Sequence, residues 1–165
     1  MTFKSIFKST VTGAALLVAA TGSQMAYAQD GKAFGPDGKA KIFPGIPSGM
    51  VEAMGGEAGI NMWVQQLFHY ILLDYRIAAI FNEHGNIPRQ IALNTQLLQR
   101  VLGNGTEYMG ASMSAAHSDL GITMVEFNAV VEAAYNACEA VNYHYYQCNQ
   151  IIAGLAPFTF DIVTR

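Results

Sequence analysis

The sequence predicts an all-α, single-domain protein, and three observations carry that prediction. From about residue 50 onward, apolar residues recur at three- and four-residue spacing in several separate runs. Helix punctuation brackets those runs, with Pro near starts and Gly or Asn at ends. No pair of alternating runs reads as adjoining strands.

Residues 1–28 read as an export signal. Lys4 and Lys8 make a basic start, residues 11–20 form a short apolar run, and Ala26-Tyr27-Ala28 is a small-x-small cleavage pattern. A membrane-crossing helix needs about 20 apolar residues, roughly twice this core. We therefore expect cleavage after Ala28, a periplasmic or secreted product and no membrane anchor afterwards. Residues 29–47 contain four Gly, three Pro and three Lys with little periodicity, which predicts a flexible leader. The folded domain is expected over 48–165.

The first long helix is expected at 59–74, where Trp63, Val64, Leu67, Phe68, Ile71 and Leu72 make one apolar face. A short helix over 76–81 follows. The next starts near Ile87-Pro88, lines up Ile91, Asn94, Leu97 or Leu98, and Val101, and stops at Gly103-Asn104-Gly105. A brief helix is expected over 113–117. Thr123-Met124-Val125-Glu126 then reads as a capping box, starting a helix with Phe127, Val130, Val131, Ala134, Cys138 and Val141 on its core side. Asn142 is a left-handed stop. The last helix is expected over 145–163, burying Cys148, Ile151, Ile152, Leu155 and Phe158.

Removing 28 of the 165 residues leaves 137, enough for one domain with a ligand-enclosing core. Seven Lys or Arg then face twelve Asp or Glu, a formal charge of −5. An acidic chain with no basic cluster argues against nucleic acid and anionic membrane surfaces as partners. The phosphate-binding loop, the dinucleotide fingerprint, the zinc cysteine pattern and the Cys-x-x-Cys-His haem-attachment motif are all missing from the sequence. Cys138 and Cys148, ten residues apart, suit either a disulfide across a helical hairpin or two buried thiols. Glu107, Asp119, Glu126 and Glu132 are scattered, as solvated or capping carboxylates are.

One of the four histidines has a distinctive setting. His117 ends the small-residue segment Ser112-Met113-Ser114-Ala115-Ala116 and precedes Asp119-Leu120-Gly121-Ile122. Small residues before it permit close approach of a bulky group, and a neutral imidazole is a good ligand for haem iron. The residues alone favour a helix-end histidine with a structural role.

Several elements, in order, resemble the truncated haemoglobin family, group I. They are the pair Gly55-Gly56, the segment 76–81 ending in Phe81, and Leu102-Gly103 through Tyr108-Met109-Gly110. His117 with Gly121-Ile122-Thr123 and Phe127 follows, then Ala156-Pro157. The likeness covers about residues 50–163. Val130 stands where groups II and III usually carry Trp, which favours group I. The resemblance implies a truncated globin fold, a two-over-two helical sandwich, and haem b held through His117 as proximal iron ligand. It implies Phe81 as a ring stacked on the haem and Tyr108 reaching the haem edge. Leu97, Leu98, Met113, Ile122, Phe127, Val130 and Leu155 become pocket walls. Arg89 and Tyr108, then Arg100, become partners of the propionates.

On the distal side the chain departs from the family. Phe68 stands where Tyr is common, and Phe donates no hydrogen bond. Gln90 and Asn94 fall on the two ligand-facing positions of the next helix, and both carry an amide N–H. Leu93 occupies the position where some relatives place a second histidine, so no internal sixth ligand is expected there. His69, His84 and His144 read as surface residues.

The resemblance implies a monomer that reversibly binds oxygen, nitric oxide or carbon monoxide. Two other classes remain open at this level. One is nitric oxide dioxygenation or peroxidase chemistry, needing a separate reductase as partner. The other is a secreted helical module without haem.

Overall fold

The computed structural model describes residues 46–103 and 106–165, so the expected signal segment, most of the leader and residues 104–105 lie outside it. Among the described residues the regular structure is entirely helical. The helices are α1 (Met50–Ala53), α2 (Gly56–Leu73), α3 (Ala78–His84), α4 (Ile87–Val101), α5 (Met113–His117), α6 (Met124–Ala140), α7 (Tyr145–Leu155) and α8 (Thr159–Ile162). A 3-10 turn, Ala156–Phe158, joins the last two. Helix α2 packs on both α4 and α6, α6 pairs with α7, and α4 meets α7. Two helix pairs therefore stack as a two-over-two sandwich with the core between them.

Helix α2 is the centre of that core. Ile60, Trp63, Val64, Leu67, Phe68 and Ile71 are all buried, at the spacing that puts them on one face. It begins three residues earlier than expected, because Gly55 and Gly56 take left-handed backbone angles (φ 87° and 67°) that reverse the chain out of α1. Gly59 has no room for a methyl group, since its backbone lies against the carbonyl oxygen of Met54. That oxygen accepts a hydrogen bond from the Tyr143 hydroxyl at 2.7 Å.

Helix α3 starts at Ala78 instead of residue 76, because Asp74 holds the preceding turn. Its carboxylate accepts from the Arg76 backbone N–H at 2.9 Å, and its carbonyl accepts from Ala78 at 2.8 Å. The Arg76 guanidinium then bridges Asp74 to Glu132 of α6, with N–O distances of 2.5 Å to each. The expected start of α4 is present: Asn86 caps it by accepting from the Arg89 N–H at 3.0 Å, and Pro88 lies in the first turn. The Thr123–Glu126 capping box of α6 is fully formed. Asn142 adopts φ 57° and α6 ends in a Schellman motif, Tyr143 N–H to Cys138 C=O and Asn142 N–H to Glu139 C=O.

The core face of α6 is rotated from the expected stripe. Ala129, Ala133, Ala134, Ala137 and Cys138 are buried, whereas Phe127, Val130, Val131 and Val141 are half-buried. Small side chains let α6 approach the bulky face of α2, where Trp63 donates its indole N–H to Cys138 Sγ at 3.2 Å. The expected continuous helix over 145–163 is broken. Pro157 has no N–H to continue the ladder, so α7 ends at Leu155 and the chain turns before α8. Cys148, Ile151 and Phe158 are buried as expected, and Ile152 and Leu155 only half-buried.

Cys138 and Cys148 are joined by a disulfide across the α6–α7 hairpin, with their Cα atoms 6.0 Å apart. Closing a loop of this size should stabilise the fold by about 2–3 kcal/mol. The Cys138→Ala/Cys148→Ala variant should lose that amount in urea unfolding, and a dithiol reductant should bring the wild type to the same midpoint. Equal midpoints for wild type and variant would show that the bond contributes nothing.

Candidate functional site

The expected site residues divide by where the fold places them. Phe68, Leu97, Leu98 and Met113 belong to one buried core cluster, with Phe81, Tyr108, Val130 and Leu155 packed against it. Ile122 is buried outside that cluster, and Phe127 is half-buried. Phe68 and Phe81 meet edge to face, ring centres 5.8 Å apart, joining α2 to α3. A separate surface cleft of about 420 Å³, including Tyr70, Arg76 and Glu132 in its wall, contains none of the expected site residues.

His117 is the last residue of α5, a helix of five residues. Ser112 starts that helix by accepting from the Ala115 N–H at 3.1 Å. His117 Nδ1 lies 2.7 Å from the Met113 carbonyl oxygen, which only accepts, so Nδ1 carries the ring proton. A neutral ring then presents Nε2 as a lone-pair donor, the tautomer that metal-bound histidines use. Burial holds the imidazole below its ordinary value of 6.5, against the opposing pull of the Met113 hydrogen bond. His69, His84 and His144 are exposed, as expected.

The α4 side is more polar than its sequence suggests. Asn94 is half-buried and donates one amide N–H to the Gln90 carbonyl oxygen at 2.9 Å, leaving its second N–H uncommitted in that bond. The Gln90 side chain lies against Gly85, whose missing Cβ leaves it room. Its Oε1 is buried and accepts no hydrogen bond from the described residues. Thr95 and Gln99, absent from the expected stripe, are buried beside Leu97 and Leu98. Their polar ends are satisfied: Thr95 accepts from Asn61 Nδ2 at 3.1 Å, and Gln99 Oε1 accepts from the Thr106 hydroxyl at 2.9 Å. Polar spacing in the sequence could not reveal this, because the partners lie on other segments.

Of the expected propionate partners, Arg89 is exposed and its charge opposes the upward shift that burial imposes on the Tyr108 hydroxyl. Tyr108 folds back over Gly110, where a side chain would collide with its ring. Arg100 is 6 % exposed, so a solvated surface role for it is ruled out.

These groups are of the kinds that hold a haem. They comprise one imidazole with its outer nitrogen uncommitted, aromatic and aliphatic walls from several helices, and an orphaned amide oxygen on α4.

Because the folded state resists protonating His117, the unfolded chain binds more protons just below pH 6.5, and stability should fall as pH drops from that value. The melting temperature of the haem-free protein should therefore decline more steeply below pH 6.5 than that of His117→Ala. Parallel curves would remove His117 as the cause.

Comparison with known proteins identifies the fold and the family. The family model described as bacterial-like globin matches residues 49–164. A group 1 truncated hemoglobin from Tetrahymena pyriformis is 27% identical over 86 residues, 52% of this chain and 70% of that protein. The crystal structure of a truncated hemoglobin from Tetrahymena pyriformis in the Fe(III) form superposes with TM-score 0.66 at 21% identity, covering 70% of this chain and 98% of that one. The 2/2 hemoglobin from Synechococcus sp. PCC 7002, solved in the cyanomet state with covalently attached heme, gives TM-score 0.64 at 24% identity with the same coverage. With the family match covering most of the chain and the fold shared with these structures, the protein belongs to the bacterial-like globin family and is a truncated globin.

Proposed function

We propose that this globin holds haem b through His117 and reversibly binds a diatomic gas. The observation that carries the reading is the His117–Met113 hydrogen bond, which commits Nδ1 as donor and directs metal ligation to Nε2. Haem, when bound, would supply an iron that could bind a protein nitrogen and a small gas. The chain's own residues do the rest. The Met113 carbonyl orients the imidazole and raises its basicity, while burial keeps it neutral at pH 7. Leu97, Leu98, Met113 and Ile122 exclude water from the pocket. Phe81, Phe127 and Val130 would wall the porphyrin. Tyr108 and Arg89 would hold the propionates.

Phe68 fills the distal side without donating a hydrogen bond, so polar stabilisation of the gas falls to the amides of Asn94 and Gln90. One such hydrogen bond is worth about 1–3 kcal/mol, or about 5- to 150-fold in affinity. Asn94→Ala should therefore release oxygen at least about fivefold faster. An unchanged off-rate by stopped flow would exclude Asn94 from the distal pocket.

The disulfide supports export, because such bonds persist in oxidising compartments. We propose a periplasmic or secreted protein cleaved after Ala28, and the amino-terminal residue of the exported product checks it.

The central test is the ultraviolet–visible spectrum of the haem-reconstituted protein, ferric, ferrous and carbonyl-bound, beside His117→Ala. Stoichiometric haem uptake with a five-coordinate ferrous spectrum, lost in the variant, is the expected result. The same spectrum without His117 would overturn the ligand assignment.

A further inference from the structure

His117 sits on a helix too short to hold its own position. Isolated helices below about 12–15 residues are marginal in water, and α5 has five. Its internal support is the Ser112 cap, with the Ala115 N–H on the Ser112 hydroxyl and the Ala116 N–H on the Ser112 carbonyl. Besides that cap, the burial of Met113 in the core and the His117 bond to the Met113 carbonyl, α5 is fastened by the chain beyond Pro157.

Helix α8 packs on α5, and the Ser114 hydroxyl donates to Asp161 Oδ1 at 3.0 Å across 47 residues of sequence. On the other side of His117, the Ile122 carbonyl oxygen accepts from the Thr164 N–H at 2.9 Å and the Arg165 N–H at 3.2 Å. The Arg165 side chain lies over Gly121, whose φ of 61° marks the turn out of the segment. Its charge also faces Glu126, though the Thr123 hydrogen bonds do most to keep that carboxylate ionised. The segment bearing His117 is thus gripped three residues before the imidazole and five residues after it. The break at Pro157 makes this possible, because a straight continuation of α7 would carry residues 159–165 along its own axis.

We propose that residues 159–165 form a clasp that sets the position of His117, with Asp161 and the Thr164 backbone N–H as its positioning groups. The inference rests on the reading of His117 as the haem ligand. Releasing either arm lets α5 shift or fray, and the strain on the bond from Nε2 changes.

Three full-chain variants test it. Asp161→Ala removes the acceptor for Ser114, and Asp161→Asn keeps an acceptor oxygen there. Thr164→Pro removes one donor to Ile122 at a site where Val163 already has extended backbone (φ −78°, ψ 114°), which a following proline favours. The readouts are the iron–histidine stretching band of the ferrous haem-loaded protein and amide exchange at 113–122 in the haem-free chain. Asp161→Ala and Thr164→Pro should shift the band and speed exchange about two- to tenfold, as loss of one hydrogen bond predicts. Asp161→Asn should match wild type. A change in only one arm assigns the clasp to that arm.

An unshifted band with unchanged exchange in both Asp161→Ala and Thr164→Pro overturns the clasp, as does Asp161→Asn behaving like Asp161→Ala with Thr164→Pro silent. If wild type shows no iron–histidine band, the ligand reading fails by itself, and the exchange data alone decide the clasp.

Discussion

The burial of one face of α2 between α4 and α6 is the constraint on which the rest of this globin depends. Ile60, Trp63 and Val64 are completely shielded from water, and Phe68 and Ile71 nearly so. Each such burial stabilises by about 1.5–3 kcal/mol, so this one face outweighs any cap or disulfide in the molecule. It also sets distances. The alanines of α6 let the two helices approach closely, and Trp63 reaches the Cys138 sulfur only because they do. With α6 placed, the Schellman turn at Asn142 returns α7 alongside it, and the disulfide ties the hairpin.

The site lies where this sandwich gives way to short elements. Helices α3 and α5 have seven and five residues and depend on contacts from elsewhere. Phe81 is held by its edge-to-face contact with Phe68, and Arg76 secures the turn before α3 to Glu132 of α6. Helix α5 relies on Ser112 before it and on α8 beside it. Rigid long helices thus carry Phe68, Gln90 and Asn94, while Phe81 and His117 sit on short segments positioned by contacts from elsewhere. Loops and short helices on a stable scaffold often carry function in this way.

The electrostatics point the same way. Burial works against a charge on His117, and the Met113 carbonyl fixes which nitrogen holds the proton. The two effects oppose each other in proton affinity, yet they agree on the species at neutral pH: a neutral ring with Nε2 available. On α4 the uncommitted polar capacity lies in Gln90 and Asn94, whereas Thr95 and Gln99 are satisfied by Asn61 and Thr106. Buried polar groups without partners are costly, so the Gln90 amide oxygen stands apart from the groups that serve the fold.

How much was legible in the sequence follows from the range of each interaction. Local signals were readable: the α4 start at Asn86-Ile87-Pro88, the Thr123–Glu126 box and the left-handed stop at Asn142 each depend on residues within a few positions. The all-helical class and the apolar face of α2 were readable for the same reason, since a 3.6-residue period is written directly into the chain. His117 stood out through its neighbours and the family resemblance, and the hydrogen bond to Met113, four residues away, gives it a definite tautomer. Tertiary structure alone decided the rest. The buried side of α6 was set by which side chains were small enough to face Trp63, the pairing of Cys138 with Cys148 by the hairpin geometry, and the partners of Gln99, Arg76 and Ser114 by segments far away in sequence. Those contacts have no local period or spacing; they exist only once the helices have packed and brought distant residues within hydrogen-bonding reach.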